Sequence, residues 1–160
     1  MNICLLLFNM PISKVCGSNR FTIQIANELV KRGHDVTVIA NKETSDKPKY
    51  KFRLIEVDTP PYGSWQNCLK DELSFFDTAN KYLIALTKVH LKHKIDVLHI
   101  QHLLFSTLIG SLFSKMFNVP FISTCHGTET YESEGSLIMS NFFAYAKDSS
   151  YITAASETII

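Results

Sequence analysis

Two short apolar runs, Ile3-Cys4-Leu5-Leu6-Leu7-Phe8 and Val36-Thr37-Val38-Ile39-Ala40, bracket a segment whose apolar residues recur at helical spacing. Nothing else in the chain constrains the fold as strongly. A continuous apolar run of that length marks a strand buried on both faces. Between the runs, Phe21, Ile25 and Leu29 recur at i, i+4 and i+8, with Ala26 and Val30 beside them. Asn19, Gln24, Asn27 and Lys31 lie off that stripe. Gly33 follows Lys31 and Arg32 as a helix stop, and the two cations suit the negative end of the helix dipole. Strand, loop, helix, glycine, strand is one right-handed βαβ unit, which belongs in a parallel sheet.

The alternation continues downstream. Residues 52–57 read as a third strand and 59–64, with Pro60, Pro61 and Gly63, as an exposed loop. Residues 69–93 read as one long or broken helix with Leu73, Phe76, Tyr82, Leu83 and Leu86 on its inner side. Strand 96–100, helix 103–117, strand 121–125, a helix over about 137–147 and strand 151–154 complete the pattern. The expected fold is a doubly wound, Rossmann-like α/β domain with a parallel sheet, spanning residues 1–155. Ser156 reads as the N-cap of a further helix begun by 156–160, so the chain is expected to continue beyond Ile160.

Composition narrows the function. A chain of 160 residues, 46% hydrophobic and 19% charged, can bury most of its apolar surface as one domain. With 16 Lys+Arg against 15 Asp+Glu, bulk attraction to nucleic acid or to an anionic membrane has no support. The opening run is shorter than the ~7–15 residues of a signal core and no Lys or Arg precedes it. The uncharged stretch 103–114 falls short of the ~20 residues that span a bilayer. The four cysteines form no CxxC pair, and Cys4 and Cys125 sit in strand-like runs as small hydrophobes. The cytoplasm is the expected compartment, with peripheral attachment at the inner face of a membrane as the variant of it.

In open α/β sheets, ligands bind beyond the carboxyl ends of the strands. That rule selects residues 9–18, the segment from Asn41, Gln101 with His102, and residues 126–134. Cys16-Gly17-Ser18-Asn19-Arg20 stands at a helix start, where backbone N–H groups and the dipole can hold a phosphate. Gly17 permits close approach, and Ser18 can cap the helix or donate a hydroxyl; a plain turn and cap is the other reading. There is no GxGxxG after the first strand, no GxxxxGK[ST], and no acid at the tip Ala40-Asn41-Lys42, which argues against a dehydrogenase or a P-loop hydrolase.

His99 and His102 are three apart in a strand and point to opposite faces, a poor metal pair. His90 and His93, among Lys88, Lys92 and Lys94, read as solvated surface. Cys125 and His126 diverge as strand neighbours and make no nucleophile–base pair. The sharpest local feature is Thr124-Cys125-His126-Gly127-Thr128-Glu129. A histidine at a strand tip presents an imidazole that can donate to or accept from a sugar hydroxyl. The alternative is a histidine that caps the following loop.

Together these segments resemble the amino-terminal domain of glycosyltransferase family 4, retaining enzymes of the GT-B fold. The family's GG-x-x-R loop and L-x-x-RGH-x-V-x-V segment are matched by the Cys16 to Arg20 stretch and by Leu29-Val30-Lys31-Arg32-Gly33-His34-Asp35-Val36-Thr37-Val38. Asp96-Val97-Leu98-His99-Ile100-Gln101-His102, then Val119-Pro120-Phe121-Ile122-Ser123-Thr124-Cys125-His126-Gly127, then Ile152-Thr153-Ala154-Ala155-Ser156 match later family motifs in order. The ordered set spans nearly the whole chain.

The resemblance implies metal-independent transfer of a sugar from a nucleotide-sugar donor to a glycan, lipid or small-molecule acceptor, with no cofactor. It places Gly17 and Ser18 on the donor diphosphate and His126 beside the transferred sugar. His102, Tyr62, Trp65, Asn67 and Glu129 fall on the acceptor side. Cys16 stands where the family has its first glycine, and Arg20 is structural or phosphate-facing. The family's nucleotide-holding second domain is not in this chain, so the isolated chain is expected to be inactive, to need that domain or a partner subunit, and to self-associate through apolar surface. The competing reading is a non-catalytic binding or scaffold module of GT-B ancestry. A receiver-type domain needs an acidic cluster at the strand ends, and the first strand ends Phe8-Asn9-Met10.

Overall fold

The first strand, β1 (Asn2–Pro11), lies at the centre of a six-stranded, all-parallel sheet of order β3-β2-β1-β4-β5-β6. The elements follow as α1 (Gly17–Lys31), β2 (Asp35–Asn41), β3 (Arg53–Val57), α2 (Glu72–His93), β4 (Val97–Gln101), α3 (Phe105–Phe117), β5 (Phe121–Cys125) and β6 (Tyr151–Ala154). The computed structural model describes residues 1–13, 16–42, 49–59, 72–103, 105–127 and 144–154. Most of the expected 137–147 helix, Ser156 and the 60–64 loop lie outside them.

The period-two alternation of buried strands divides the core. Leu5 and Leu7 of β1, with Val36, Val38 and Ala40 of β2, meet Ala26 of α1 on one face. Cys4 and Leu6, with Ile39, Leu98, Ile100 and Phe121, meet Tyr82, Leu86 and Val89 of α2 and Ile109 and Phe113 of α3 on the other. Each fully buried leucine contributes about 1.5–3 kcal/mol. The same right-handed crossover that puts α1 on one face puts α2 and α3 on the other once the chain steps across β1. Strand order therefore reverses between β1 and β4, which sets the crevice there.

Helix ends follow their sequence signals. Gly33 adopts φ 85°, and the amides of Gly33 and His34 donate to the carbonyls of Val30 and Leu29, a Schellman close to α1. Lys94 and Asn118, just past α2 and α3, take the same left-handed turn without glycine, each at φ 54°.

The structure departs from the sequence reading in three places. The first strand runs on to Pro11 instead of stopping at Phe8, through a register shift between Leu6 and Pro11 that brings Pro11 opposite Asn41. Residues 9–11 are thus strand rather than loop. Phe76, expected inside, is 64% exposed. The inner stripe of α2 is Thr78, Tyr82, Leu86 and Val89, and a residue two before Thr78 is rotated about 200° from it. His90 is not solvated surface; its ring packs at 5.6 Å against Phe113 and 4.8 Å against Phe117. Burial, with Lys94 nearby, lowers its pKa. No helix among the described residues is long and apolar enough to cross a membrane.

Candidate active site

The carboxyl ends of β1, β4 and β5 lie side by side where the strand order reverses, and the start of α1 is tied to them. Asn19 Nδ2 donates to the Pro11 carbonyl at 2.7 Å and to that of Ile12 at 3.3 Å. Cys16 is the N-cap residue, extended at φ −142° and ψ 165°, and no side chain caps the helix. Of the two roles open to Ser18, capping is therefore not the one it takes. The helix starts earlier, so Ser18 sits buried within the first turn, its hydroxyl 3.3 Å from Cys16 Sγ and its carbonyl accepting from Thr22. The Arg20 amide closes that turn on the Cys16 carbonyl at 3.1 Å, and the amides ahead of it precede the helical ladder. A Cβ built at Gly17 would meet nothing within 4 Å. The helix start is open to a ligand.

β4 turns Leu98 and Ile100 into the α2–α3 core, so His99 and Gln101 face the other way, toward the side covered by α1. His102 follows the strand at φ 81°, an uncommon backbone state for a side-chain-bearing residue. Two bonds hold it there: its amide donates to the Thr124 carbonyl at 2.9 Å, and its own carbonyl accepts from Ser106 Oγ at 2.7 Å.

His126 is the first residue past β5, and Gly127 turns the chain after it at φ 94°. Its Nε2 lies 2.9 Å from Gln101 Oε1. Its ring is 4.8 Å from that of His102 and 5.2 Å, edge-on, from Phe21 of α1. A carbonyl oxygen only accepts, so His126 Nε2 carries the proton, and in the neutral ring Nδ1 is the acceptor nitrogen. Cys125 instead packs with Leu103 and Ala146, away from that cluster.

The structure thus brings together the rings of His126, His102 and Phe21, the last one turn into α1. Tyr62, Trp65, Asn67 and Glu129 lie outside the described residues. Sequence reasoning selected Gln101 with His102 at a strand tip and put Phe21 on the buried stripe of the helix but gave neither a role here, although the alternation around Leu98 and Ile100 already aims Gln101 at α1. Among the described residues no three His, Cys, Asp or Glu side chains group as metal ligands. A cavity of about 530 Å³ does open elsewhere, between β3 and α2, over Ile55, Val57, Ala85 and Val89. Its polar lining is Arg53, Glu56, Asp58, His93 and the lysines of α2, and it includes none of the residues at the tips of β1, β4 and β5.

His99 Nε2 lies 2.7 Å from Thr124 Oγ1, which is 2.8 Å from Thr153 Oγ1, so that a hydrogen-bonded chain crosses β4, β5 and β6. Burial pushes the His99 pKa down from 6.5 to about 4. The folded protein holds His99 neutral while the unfolded chain protonates it below 6.5, so stability is full above that pH and falls as pH drops toward 4. The loss reaches roughly 2 kcal/mol at pH 5. Urea unfolding at pH 7.5 and 5.0 checks this: a His99→Gln variant is expected to lose that much of the pH dependence.

With the geometry in view, comparison with known proteins decides the family. The model described as Glycosyltransferase Family 4 matches residues 15–160. The chain belongs to that family. No curated protein matches the sequence. Among solved structures, the family 4 chain is similar to sucrose-phosphate synthase from Thermosynechococcus elongatus, at 18% identity and a TM-score of 0.69 over 91% of this chain and 39% of that one. It is similar as well to UDP-GlcNAc 2-epimerase from Neisseria meningitidis bound to UDP-GlcNAc, at 15% identity and 0.63 over 98% of this chain and 40% of that one. A ugt transferase from Siraitia grosvenorii in complex with UDP aligns at 15% identity and 0.52, over 84% and 26%. The likeness is one of fold, the Rossmann-like domain of GT-B glycosyltransferases, and the family 4 chain spans about two fifths of the first of these proteins.

Proposed function

We propose that this family 4 chain is the amino-terminal, acceptor-side half of a retaining glycosyltransferase. The enzyme moves a sugar from a nucleotide-sugar donor to an acceptor hydroxyl in the cytoplasm, without a metal. The observation that supports this is the contact of His126 with Phe21, one turn into α1, and with Gln101 at the β4 tip, beside the strand-order reversal. The helix dipole and first-turn amides favour the donor diphosphate at Gly17 and Ser18. Family position assigns His126 to the side of the transferred sugar. His102 faces the acceptor, with Tyr62, Trp65, Asn67 and Glu129 assigned to the same side by family position. The sugar–phosphate bond breaks with its electron pair leaving on the nucleoside diphosphate. The acceptor oxygen forms the new bond and gives up its proton.

Half a cleft does not place donor against acceptor, and placement supplies much of such a rate enhancement. Transfer therefore requires a second, nucleotide-holding domain or subunit. By itself the chain is expected to self-associate through exposed side chains such as Leu91, Met116 and Tyr151. A second reading, a scaffold that kept the fold and lost the chemistry, draws on Cys16 at the first glycine position.

The test is sugar transfer by the full-length protein from UDP-sugars, chosen because the epimerase and ugt neighbours hold UDP-GlcNAc and UDP, with the anomeric configuration of the product read by NMR. Transfer with retention by the full-length protein and none by residues 1–160 is the expected result. Gly17→Val should keep the melting temperature and raise the donor KM about tenfold, since the open space it fills belongs to the ligand. Inversion at the anomeric carbon, or full activity in the isolated chain, overturns the reading.

A further inference from the structure

Gln101 is completely buried at the tip of β4, between Leu7 of β1 and Thr124 of β5. One end of its amide is used: Oε1 takes the proton of His126 Nε2 at 2.9 Å. The other end, Nε2, is buried and finds no hydrogen-bond partner among the described residues. A buried amide donor left unsatisfied costs about 1–3 kcal/mol, so such a group calls for a reason. Packing does not supply one. A leucine or methionine would fill the same space without the penalty, and the neighbouring inward positions Leu98 and Ile100 are apolar.

The position of the orphan end does supply a reason. The same planar amide grips His126, whose ring packs against His102 and against Phe21 of α1. We propose that Gln101 serves the site in two ways: it fixes the imidazole of His126 as the Nε2–H tautomer, and it donates its Nε2 hydrogen to an oxygen of the transferred sugar. The assignment rests on the sugar-transfer reading for its second half only. The first half concerns two side chains in contact and stands without any substrate. Gln101 acts on His126 as a positioning residue, and a bound sugar would complete the hydrogen bonding of its amide. In the bound state the buried donor is satisfied, which lets a group unfavourable to folding favour the ligand over water.

Two variants in the full-length protein separate the roles. Gln101→Met keeps volume and removes both ends of the amide, and Gln101→Glu keeps the acceptor for His126 while removing the donor. The tautomer of His126 is read by long-range ¹⁵N NMR above pH 8, where the ring is neutral. The wild type and Gln101→Glu are expected to carry the proton on Nε2, and Gln101→Met to populate both forms. Gln101→Glu should also raise the midpoint of the His126 titration by about one pH unit or more, because a carboxylate then faces the ring. A tautomer ratio unchanged in Gln101→Met overturns the positioning role.

The sugar contact is read by calorimetric titration with UDP-GlcNAc and with UDP. Both variants are expected to lose about tenfold in UDP-GlcNAc affinity and to bind UDP as the wild type does. Equal losses for the two ligands, no loss for either, or a wild type that binds no UDP-GlcNAc overturns the contact. In the last case sugar transfer from that donor falls with it, while the tautomer result still decides the first half.

Discussion

Replacing His126 by alanine in the full-length protein is expected to cut sugar transfer about 10²-fold to 10³-fold while lowering the melting temperature by only about 2–4 °C. The magnitude is that of losing one positioned proton-transfer or charge-stabilising group. The loss should stay that small because His126 lies past the end of β5; what goes is its ring packing on His102 and Phe21 and its bond to Gln101, whose buried Oε1 then costs about 1 kcal/mol. The core leucines and Phe121 are untouched. Initial rates of nucleoside diphosphate release at saturating donor measure kcat directly. A variant that turns over like the wild type removes the catalytic role and leaves the scaffold reading in possession of the fold.

The largest stability effect is expected at Gly110. A Cβ there would overlap Ile100 Cδ1 and come within 3.1 and 3.2 Å of the Phe121 ring. Ile100 and Phe121 are completely buried in the α2–α3 core, so neither side chain has room to retreat. Gly110→Val adds branched atoms to that contact and should cost about 3 kcal/mol by overpacking. In a domain of this size that corresponds to a drop of roughly 6–12 °C in Tm. Activity should fall as well, since Ile100 immediately precedes Gln101 and β5 ends next to His126. A Gly110→Val melt indistinguishable from the wild type would show that α3 lifts off the sheet at little cost.

The parallel sheet was legible in the sequence because its strands are buried on both faces and read as unbroken apolar runs. The histidine at the β5 tip was legible because glycine follows it. Two kinds of information were not. Phe76 looked internal because it is large and apolar, yet the phase of α2 is set by Thr78, Tyr82, Leu86 and Val89, and a helix of mixed composition shows that phase only once packed. Cys16 as the N-cap residue was hidden for a related reason. Ser18 is the better capping residue by chemistry, but the link from Asn19 to Pro11 and Ile12 pulls the helix start back to Gly17. Tertiary ties overrode local preference in both cases. Gln101 shows the converse: the alternation placed its side chain, and only the coordinates showed what it grips.

The central strand has consequences for how the protein is made. β1 pairs on one side with residues beginning at Asp35 and on the other with residues beginning at Val97, so its second partner arrives more than ninety positions later in synthesis. Contacts this distant in sequence slow folding, because loop closure must precede any reward. Until Val97–Gln101 and Phe121–Cys125 have left the ribosome, Leu6 and Cys4 have a strand on one side only, and the His126 imidazole and the Gln101 amide have not met. The nascent chain therefore spends most of its synthesis with an apolar strand half covered, a species that favours aggregation and recruits chaperones.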